Sequence, residues 1–336
     1  MAVNPNYTRN TNAPLRVNEL YNKIIAGDRA ALSQAITLLE GTTEDQQRLA
    51  QDLLSLIPES PDSLRIGITG VPGVGKSTFI EAYGLSLIAA GHKVAVLAVD
   101  PTSSITQGSI MGDKTRMEQL VTHPDSFIRP SPAGKALGGV GLATRQAIQL
   151  CELAGYDRVL VETVGVGQSE TLVHGMTDFF LLLKLPNAGD ELQGVKRGII
   201  EMADAIFINK ADGDAAASAR HAAQQFGAAL RLFPTKETGW QPKVLMGSGL
   251  HNEGIDKVQE IIERVGIRFR ESGMLQQRRR KQTLVHLNDQ IVQIIYRHAS
   301  SQPKLVDTID RVKREVAAGT ITPGQGLKQV SAALAR

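Results

Sequence analysis

Residues 65–78 read Arg65-Ile-Gly-Ile-Thr-Gly-Val-Pro-Gly-Val-Gly-Lys-Ser-Thr78. A short apolar run with β-branched residues leads into Gly70-x4-Gly75-Lys76-Ser77, the phosphate-binding loop pattern. Gly70, Val71, Pro72, Gly73, Val74, Gly75, Lys76, Ser77 and Thr78 together predict a tight turn between a strand and a helix. Glycine lets the backbone fold closely enough for successive N–H groups to converge on phosphate oxygens. The helix expected from about Lys76 adds the positive end of its dipole. In such a loop Lys76 can reach the β- and γ-phosphates, and the Ser77 hydroxyl is placed to bind Mg2+.

Outward from this loop, six apolar runs recur: Arg65–Thr69, Val94–Val99, Arg158–Thr163, Phe179–Leu185, Ala205–Asn209 and Lys243–Met246. Helical stretches near 76–90, 140–154, 191–203 and 214–226 fall between them. Near-continuous apolar strands separated by helices predict an α/β fold, a P-loop NTPase with a mainly parallel sheet flanked by helices. Ligands of such sheets sit at the carboxyl ends of the strands. Asp100, Glu162 and Asn209-Lys210-Ala211-Asp212 each stand at a predicted strand end.

Upstream, Leu20, Ile24, Leu32, Ile36, Leu49 and Leu53 recur at helical spacing, and Thr43-Glu44-Asp45 reads as a helix start. These predict an N-terminal helical extension over residues 1–62, before a nucleotide-binding domain over 63–270. Beyond Gly254 the pattern is helical to the end, with helices expected over Ile255–Phe269, Met274–Ser300 and Lys304–Ala335, the last broken at Pro323-Gly324. Residues 271–336 therefore read as a C-terminal helical arm. Leu284, Leu287, Ile291, Ile294 and Ile295 lie on one side of it. Arg278-Arg-Arg-Lys281 reads as a solvated helix face.

Composition narrows the class. Of 336 residues, 42% are apolar and 21% charged, as in ordinary soluble globular proteins. The net charge of +3, from 37 basic and 34 acidic residues, is too balanced to imply a nucleic-acid partner. No apolar run reaches membrane-spanning length, and the first residues lack the features of a secretory signal. The single cysteine, Cys151, excludes a disulfide framework within one chain and fits a reducing compartment. The expectation is a cytoplasmic protein with no membrane or nucleic-acid role.

Asn209-Lys210-Ala211-Asp212 is the guanine-specificity pattern. A carboxylate at Asp212 can accept from both the ring N–H and the exocyclic amine of guanine, a pair that adenine does not offer. Asn209 and Lys210 would tie this loop to the phosphate loop, and Ser248, Gly249 and Leu250 could supply an amide to the base carbonyl. The expected ligands are GTP or GDP with Mg2+. Glu162 can hold a metal-bound water, and the Gly165 amide can sense the γ-phosphate. Asp100 and Asp113 are candidates for the magnesium shell, although Asp113 could equally cap the helix-like run that follows it. A glutamine directly after Gly165 would position the attacking water. Val166 stands there instead, with Gln168 further on, which predicts slow intrinsic hydrolysis completed by a partner. Residues 186–197 are polar, lie at the ligand end of the sheet and have no place in a minimal GTPase, so they predict a partner-sensing loop.

Five stretches carry a more specific likeness: Gly-Val-Pro-Gly-Val-Gly-Lys-Ser-Thr from Gly70, Val-Asp-Pro-Thr-Ser-Ser from Val99, Gly-Ser-Ile-Met-Gly-Asp-Lys-Thr-Arg-Met from Gly108, Glu-Thr-Val-Gly-Val-Gly-Gln-Ser-Glu from Glu162 and Pro-Asn-Ala-Gly-Asp-Glu-Leu-Gln-Gly from Pro186. With them the chain resembles the MeaB/ArgK family of P-loop GTPases, of the SIMIBI class. The resemblance implies a chaperone of adenosylcobalamin-dependent methylmalonyl-CoA mutase, with GTP hydrolysis as its timer. It implies Lys76 on phosphate, Ser77, Asp100, Asp113 and Glu162 around Mg2+, Asp212 on guanine, and residues 186–197 as a third switch facing the mutase. It also implies a homodimer joined partly through the C-terminal arm. Gly249 stands where many GTPases have alanine. Rival readings are a metallochaperone GTPase, which would want a Cys/His cluster, a protein-targeting GTPase, which would want clustered methionines, and a small-molecule kinase, which Asp212 disfavours.

Overall fold

The computed structural model describes residues 16–41, 43–58, 62–99, 117–131, 139–163, 169–187, 197–234, 236 and 238–334. Seven strands form its sheet: β1 (Leu64–Thr69), β2 (Val94–Val99), β3 (Ser126–Ser131), β4 (Arg158–Thr163), β5 (Phe179–Lys184), β6 (Ala205–Ile208) and β7 (Lys243–Met246). They lie in the order β3-β2-β4-β1-β5-β6-β7, every adjacent pair parallel. β4 and β5 are buried along their whole length, as strands covered by helices on both faces must be. β1 sits between them, with Ile68 opposite Glu162 on one side and Leu181 on the other. From β1 the chain crosses to one side for β2 and later to the other for β5, so the loop after β1 opens at a point where the winding reverses.

The six expected strands are present, with shifts of a residue at some ends. β3 was not anticipated. Its sequence, Ser-Phe-Ile-Arg-Pro-Ser, has only two large apolar residues and a proline, which is tolerated because β3 is an edge strand with a single neighbour.

The helices are α1 (Val17–Ile25), α2 (Arg29–Leu39), α3 (Glu44–Ser55), α4 (Lys76–Ala89), α5 (Glu118–Thr122), α6 (Gly139–Leu153), α7 (Ser169–His174), α8 (Arg197–Met202), α9 (Ala216–Leu230), α10 (Ile255–Glu271), α11 (Met274–Ser300), α12 (Pro303–Ala317) and α13 (Pro323–Leu334). Asp28 caps α2 through the amides of Ala30 and Ala31, and Thr43 and Gln46 make a capping box at the start of α3. Helices α1–α3 share a core with α6 and one face of the sheet, through Leu20, Ile24, Leu32, Ile36 and Leu53 against Ile148, Cys151 and Val161. Arg129 of β3 pairs with Glu40 at 2.9 Å and donates to Ser33, tying the edge strand to α2. The opposite face packs on α4 and α10 through Phe79, Tyr83, Phe207 and Ile262.

The chain divides into two compact units, Met1–Arg279 and Arg280–Arg336, and the break falls within α11. In the second unit α12 and α13 pack as a hairpin around Leu305 and Val312, where a Cβ on Gly326 would come within 2.7 Å of Val312. Among the described residues no helix is long and apolar enough to cross a membrane.

Candidate nucleotide site

The loop after β1 turns on two left-handed glycines, Gly73 at φ 79° and Gly75 at φ 92°, the second serving as N-cap of α4. Val74 is fully buried and pins the loop, while Val71, Pro72 and Gly73 are exposed. At Gly70 a Cβ would lie 2.7 Å from the Leu183 carbonyl oxygen, so only glycine lets β1 leave the sheet this close to β5. Lys76 and Ser77 are buried in the first turn of α4, with Thr78 partly exposed beside them. The Lys76 ammonium folds back over the loop and donates to the carbonyls of Gly70 at 2.9 Å and Val71 at 3.3 Å. The amino end of a 14-residue helix and an ammonium held above it make a cradle suited to a dense anion.

Two further loops close on this one. Asn209, 2% exposed, donates from Nδ2 to the Val74 carbonyl at 2.8 Å and accepts from the Gly249 amide at 2.9 Å. One side chain therefore joins the loops after β1, β6 and β7. Lys210 adopts a left-handed backbone, φ 58°, uncommon for a residue with a side chain, and its ammonium donates to the Gly73 carbonyl at 2.9 Å. Asp212 precedes a short 3-10 turn, Gly213–Ala215, without spending its carboxylate on a cap. The Ala211 amide donates to the Gly247 carbonyl at 2.9 Å, binding the third loop again to the second. Ser248 is buried, and its backbone exchanges two hydrogen bonds with Glu253. Gly249 thus gives its amide to Asn209, and the next residue of this loop, Leu250, is 76% exposed. A Cβ on Gly249 would stand 3.0 Å from the Phe79 Cα, so alanine there would press on the backbone of α4.

Glu162, 5% exposed, lies near the end of β4 opposite Ile68, the second residue before Gly70. Next to it the Thr163 and Thr69 hydroxyls bond each other at 2.8 Å, joining the ends of β4 and β1. The Ser77 hydroxyl and the Glu162 carboxylate are hard oxygen donors of the kind that Mg2+ accepts alongside water and phosphate. Asp100, Asp113, Gly165, Val166, Gln168 and most of the 186–197 loop lie outside the described residues.

The amino edge of the sheet holds what sequence reasoning missed. Asp178 and Asp204, each 1% exposed, stand immediately before β5 and β6 and accept the amides of Arg65 and Phe180 at 2.9 Å. Arg279 grips Asp178 through Nε at 2.9 Å and Nη2 at 2.5 Å and also donates to the Ser63 carbonyl at 2.9 Å. Arg65 pairs with Glu152 in the same layer. Asp204 receives Lys236 at 2.7 Å and, at 3.5 Å, Arg278. Burial alone would raise both aspartates, but the bonded and neighbouring cations outweigh it and hold them below the usual carboxylate range. The reading of Arg278-Arg-Arg-Lys281 as a solvated face is thus corrected: Arg280 and Lys281 are exposed, whereas Arg278 and Arg279 turn inward to neutralise buried carboxylates. The spacing of Leu275 and Arg279, one turn apart on the buried face, is a signal for Arg279 but not for Arg278 or for either counter-charge. Beside this edge a groove of about 700 Å3 opens between Ile200, Leu230, Phe233, Trp240 and Val244, and it contains none of the residues expected to read phosphate or base.

The comparisons agree with this geometry. A family profile described as "Methylmalonyl Co-A mutase-associated GTPase MeaB" matches residues 32–304. The chain belongs to the MeaB family. Among similar proteins, one from Mycobacterium tuberculosis named a probable GTPase is 46% identical over 315 residues, covering 94% of both chains. The mouse protein named "Methylmalonic aciduria type A homolog, mitochondrial" is 42% identical over 320 residues, covering 92% of this chain and 77% of its own. A solved structure described as "LAO/AO transport system kinase" superposes with a TM-score of 0.76 at 36% identity, over 96% of this chain and 100% of that one. This MeaB-family protein is therefore a P-loop GTPase, an enzyme that hydrolyses GTP. Its parallel sheet flanked by helices is the fold class its residues predicted, with β3 as the added strand.

Proposed function

We propose that this MeaB-family GTPase is a nucleotide-timed chaperone of an adenosylcobalamin-dependent methylmalonyl-CoA mutase, acting in cofactor loading, protection or reactivation. The nucleotide half is carried by the Asn209 clasp, which fixes the base loop to the phosphate loop while leaving the Asp212 carboxylate free of any capping bond. The mutase half is supported by the family description.

In this reading the amides of Gly73–Thr78 and the Lys76 ammonium bind the β- and γ-phosphates, with Lys76 exchanging the Gly70 and Val71 carbonyls for phosphate oxygens. Asp212 pairs with the guanine N–H groups, the Leu250 amide faces the base carbonyl, and Lys210 covers the ring. Ser77 and Glu162, completed by Asp100 and Asp113, hold Mg2+. When bound, that ion neutralises charge that develops across the phosphates. Gly165 senses the γ-phosphate. Because valine follows it, the chain's own residues orient the attacking water poorly and hydrolysis waits for the partner. Residues 186–197 face that partner.

The reading includes a homodimer joined through the 271–336 arm, supported by the exposed Leu284, Leu287, Ile291, Ile294 and Ile295 of α11, and residence in the cytosol, supported by the single buried Cys151. The test mixes the purified protein with a cobalamin-dependent mutase and measures co-purification and GTP turnover. Binding with stimulated turnover is expected. Fast hydrolysis by the isolated protein would refute the incomplete-site argument, and absence of stimulation by any cobalamin mutase would refute the chaperone role.

A further inference from the structure

Helix α7 begins directly after residues 164–168, which include Gly165, and α8 begins directly after residues 188–196. Both helices end at the amino edge of the sheet, α7 at His174 and α8 two residues before Asp204. Arg278 of α11 meets both ends. Its Nη2 lies 3.4 Å from His174 Nε2, and its Nη1 lies 3.5 Å from Asp204 Oδ2. The His174 ring is held edge-on against Phe180, with centroids 5.4 Å apart. Burial, reinforced by the Arg278 charge, lowers its pKa to about 4, so the ring is neutral near pH 7 and Nε2 can accept from the guanidinium.

Arg278 differs from its neighbour in what it is needed for. Asp178 depends on Arg279 at 2.5 Å, whereas Asp204 already has Lys236 at 2.7 Å. The two contacts of Arg278 sit at the outer limit of hydrogen bonding, where a small shift of either helix end makes or breaks them. The residue is thus the second of two cations on Asp204 and, through its two long contacts, well placed as a follower of both helix ends.

We propose that Arg278 is a positioning residue that relays nucleotide state from the ends of α7 and α8 to the first turns of α11. The relay rests on the γ-phosphate-sensing role proposed above for Gly165.

The experiment is hydrogen–deuterium exchange on the full-length protein with GDP and with a non-hydrolysable GTP analogue, in wild type, Arg278→Gln and His174→Phe. The second variant removes the acceptor while leaving Asp204 with both cations, so it remains informative if Arg278→Gln fails to fold. In wild type, exchange in residues 169–177 and in residues 274–280 should both differ between the two nucleotides. In the variants the first difference should persist, and the second should fall about 2- to 30-fold, the range that single residues on a coupling route produce. If neither segment responds in wild type, the nucleotide-sensing reading fails and the relay with it. If residues 169–177 respond but 274–280 do not, or if the response in 274–280 survives in the variants that fold, the relay is overturned while the sensing reading stands.

Discussion

Arg279→Met isolates the ion pair that closes the amino edge of the sheet. Methionine retains an apolar stem of similar reach and leaves Asp178, 1% exposed, with the Arg65 amide and the weaker influence of the Arg65 charge. The stranded carboxylate can stay ionised or take a proton, and the second route sets a ceiling on the loss. Protonating an ordinary aspartate of pKa ~3.9 at pH 7 costs roughly 1.4 kcal/mol per pH unit over about three units, hence about 4 kcal/mol. That agrees with the ~3–5 kcal/mol typical of breaking one side of a buried pair. At pH 5 the same ceiling drops to about 1.5 kcal/mol. The lost bond to the Ser63 carbonyl adds about 1 kcal/mol at either pH. In the wild type the folded pKa of Asp178 is depressed below 3.8, so its contribution is complete above the unfolded pKa and does not change between pH 7 and 5. Trp240, the single tryptophan, is buried in the same compact unit with Nε1 donating to the Asp204 carbonyl at 2.8 Å. Urea unfolding followed by its fluorescence should show the variant destabilised by about 4–5 kcal/mol at pH 7 and about 2–3 kcal/mol at pH 5. Adding Asp178→Asn should recover most of the pH 7 loss. A deficit under about 1 kcal/mol, or one equal at both pH values, would refute the reasoning.

Three further outcomes are expected. Because the folded pKa of His174 is lowered from 6.5 to about 4, the unfolded chain takes up the proton first; stability should fall by about 3 kcal/mol as pH drops between those values, and His174→Phe should flatten the profile. Asp212→Asn should weaken GTP binding by about 100-fold or more and admit XTP, measured by nucleotide titration; unchanged GTP affinity would remove Asp212 from base reading. Asn209→Ala strands the Val74 carbonyl and the Gly249 amide, and should weaken GDP binding on the order of 100-fold in the same titration, while an affinity within a few-fold of wild type would show that the three loops hold together without it.

Much of this molecule is legible in its residues because its chemistry is local. Gly70 to Thr78 and Asn209 to Asp212 each encode a loop conformation, and the ligand contact proposed for it, within a few positions. The apolar runs are long enough to mark buried parallel strands. β3 was hidden because an edge strand needs neither continuous hydrophobicity nor every amide, so Arg129 and Pro130 disguised it. The arginine pair was hidden for the opposite reason. A charge on a helix reads as solvated unless its counter-charge is known, and the partners of Arg278 and Arg279 lie 74 and 101 residues away. The Asn209 bonds were expected in kind, but the donation of the Gly249 amide to Asn209 depends on a loop closure that no spacing records.

The ion pairs at the amino edge also bear on how the chain is made. Asp178 and Asp204 leave the ribosome well before Arg279. Until that arginine emerges, a sheet that has already paired β1 with β5 would carry an unneutralised carboxylate in its interior. The last residue needed to complete the first unit thus belongs to the helix that leads into the second. Closing the amino edge of the sheet is thereby tied to synthesis of the first turns of α11.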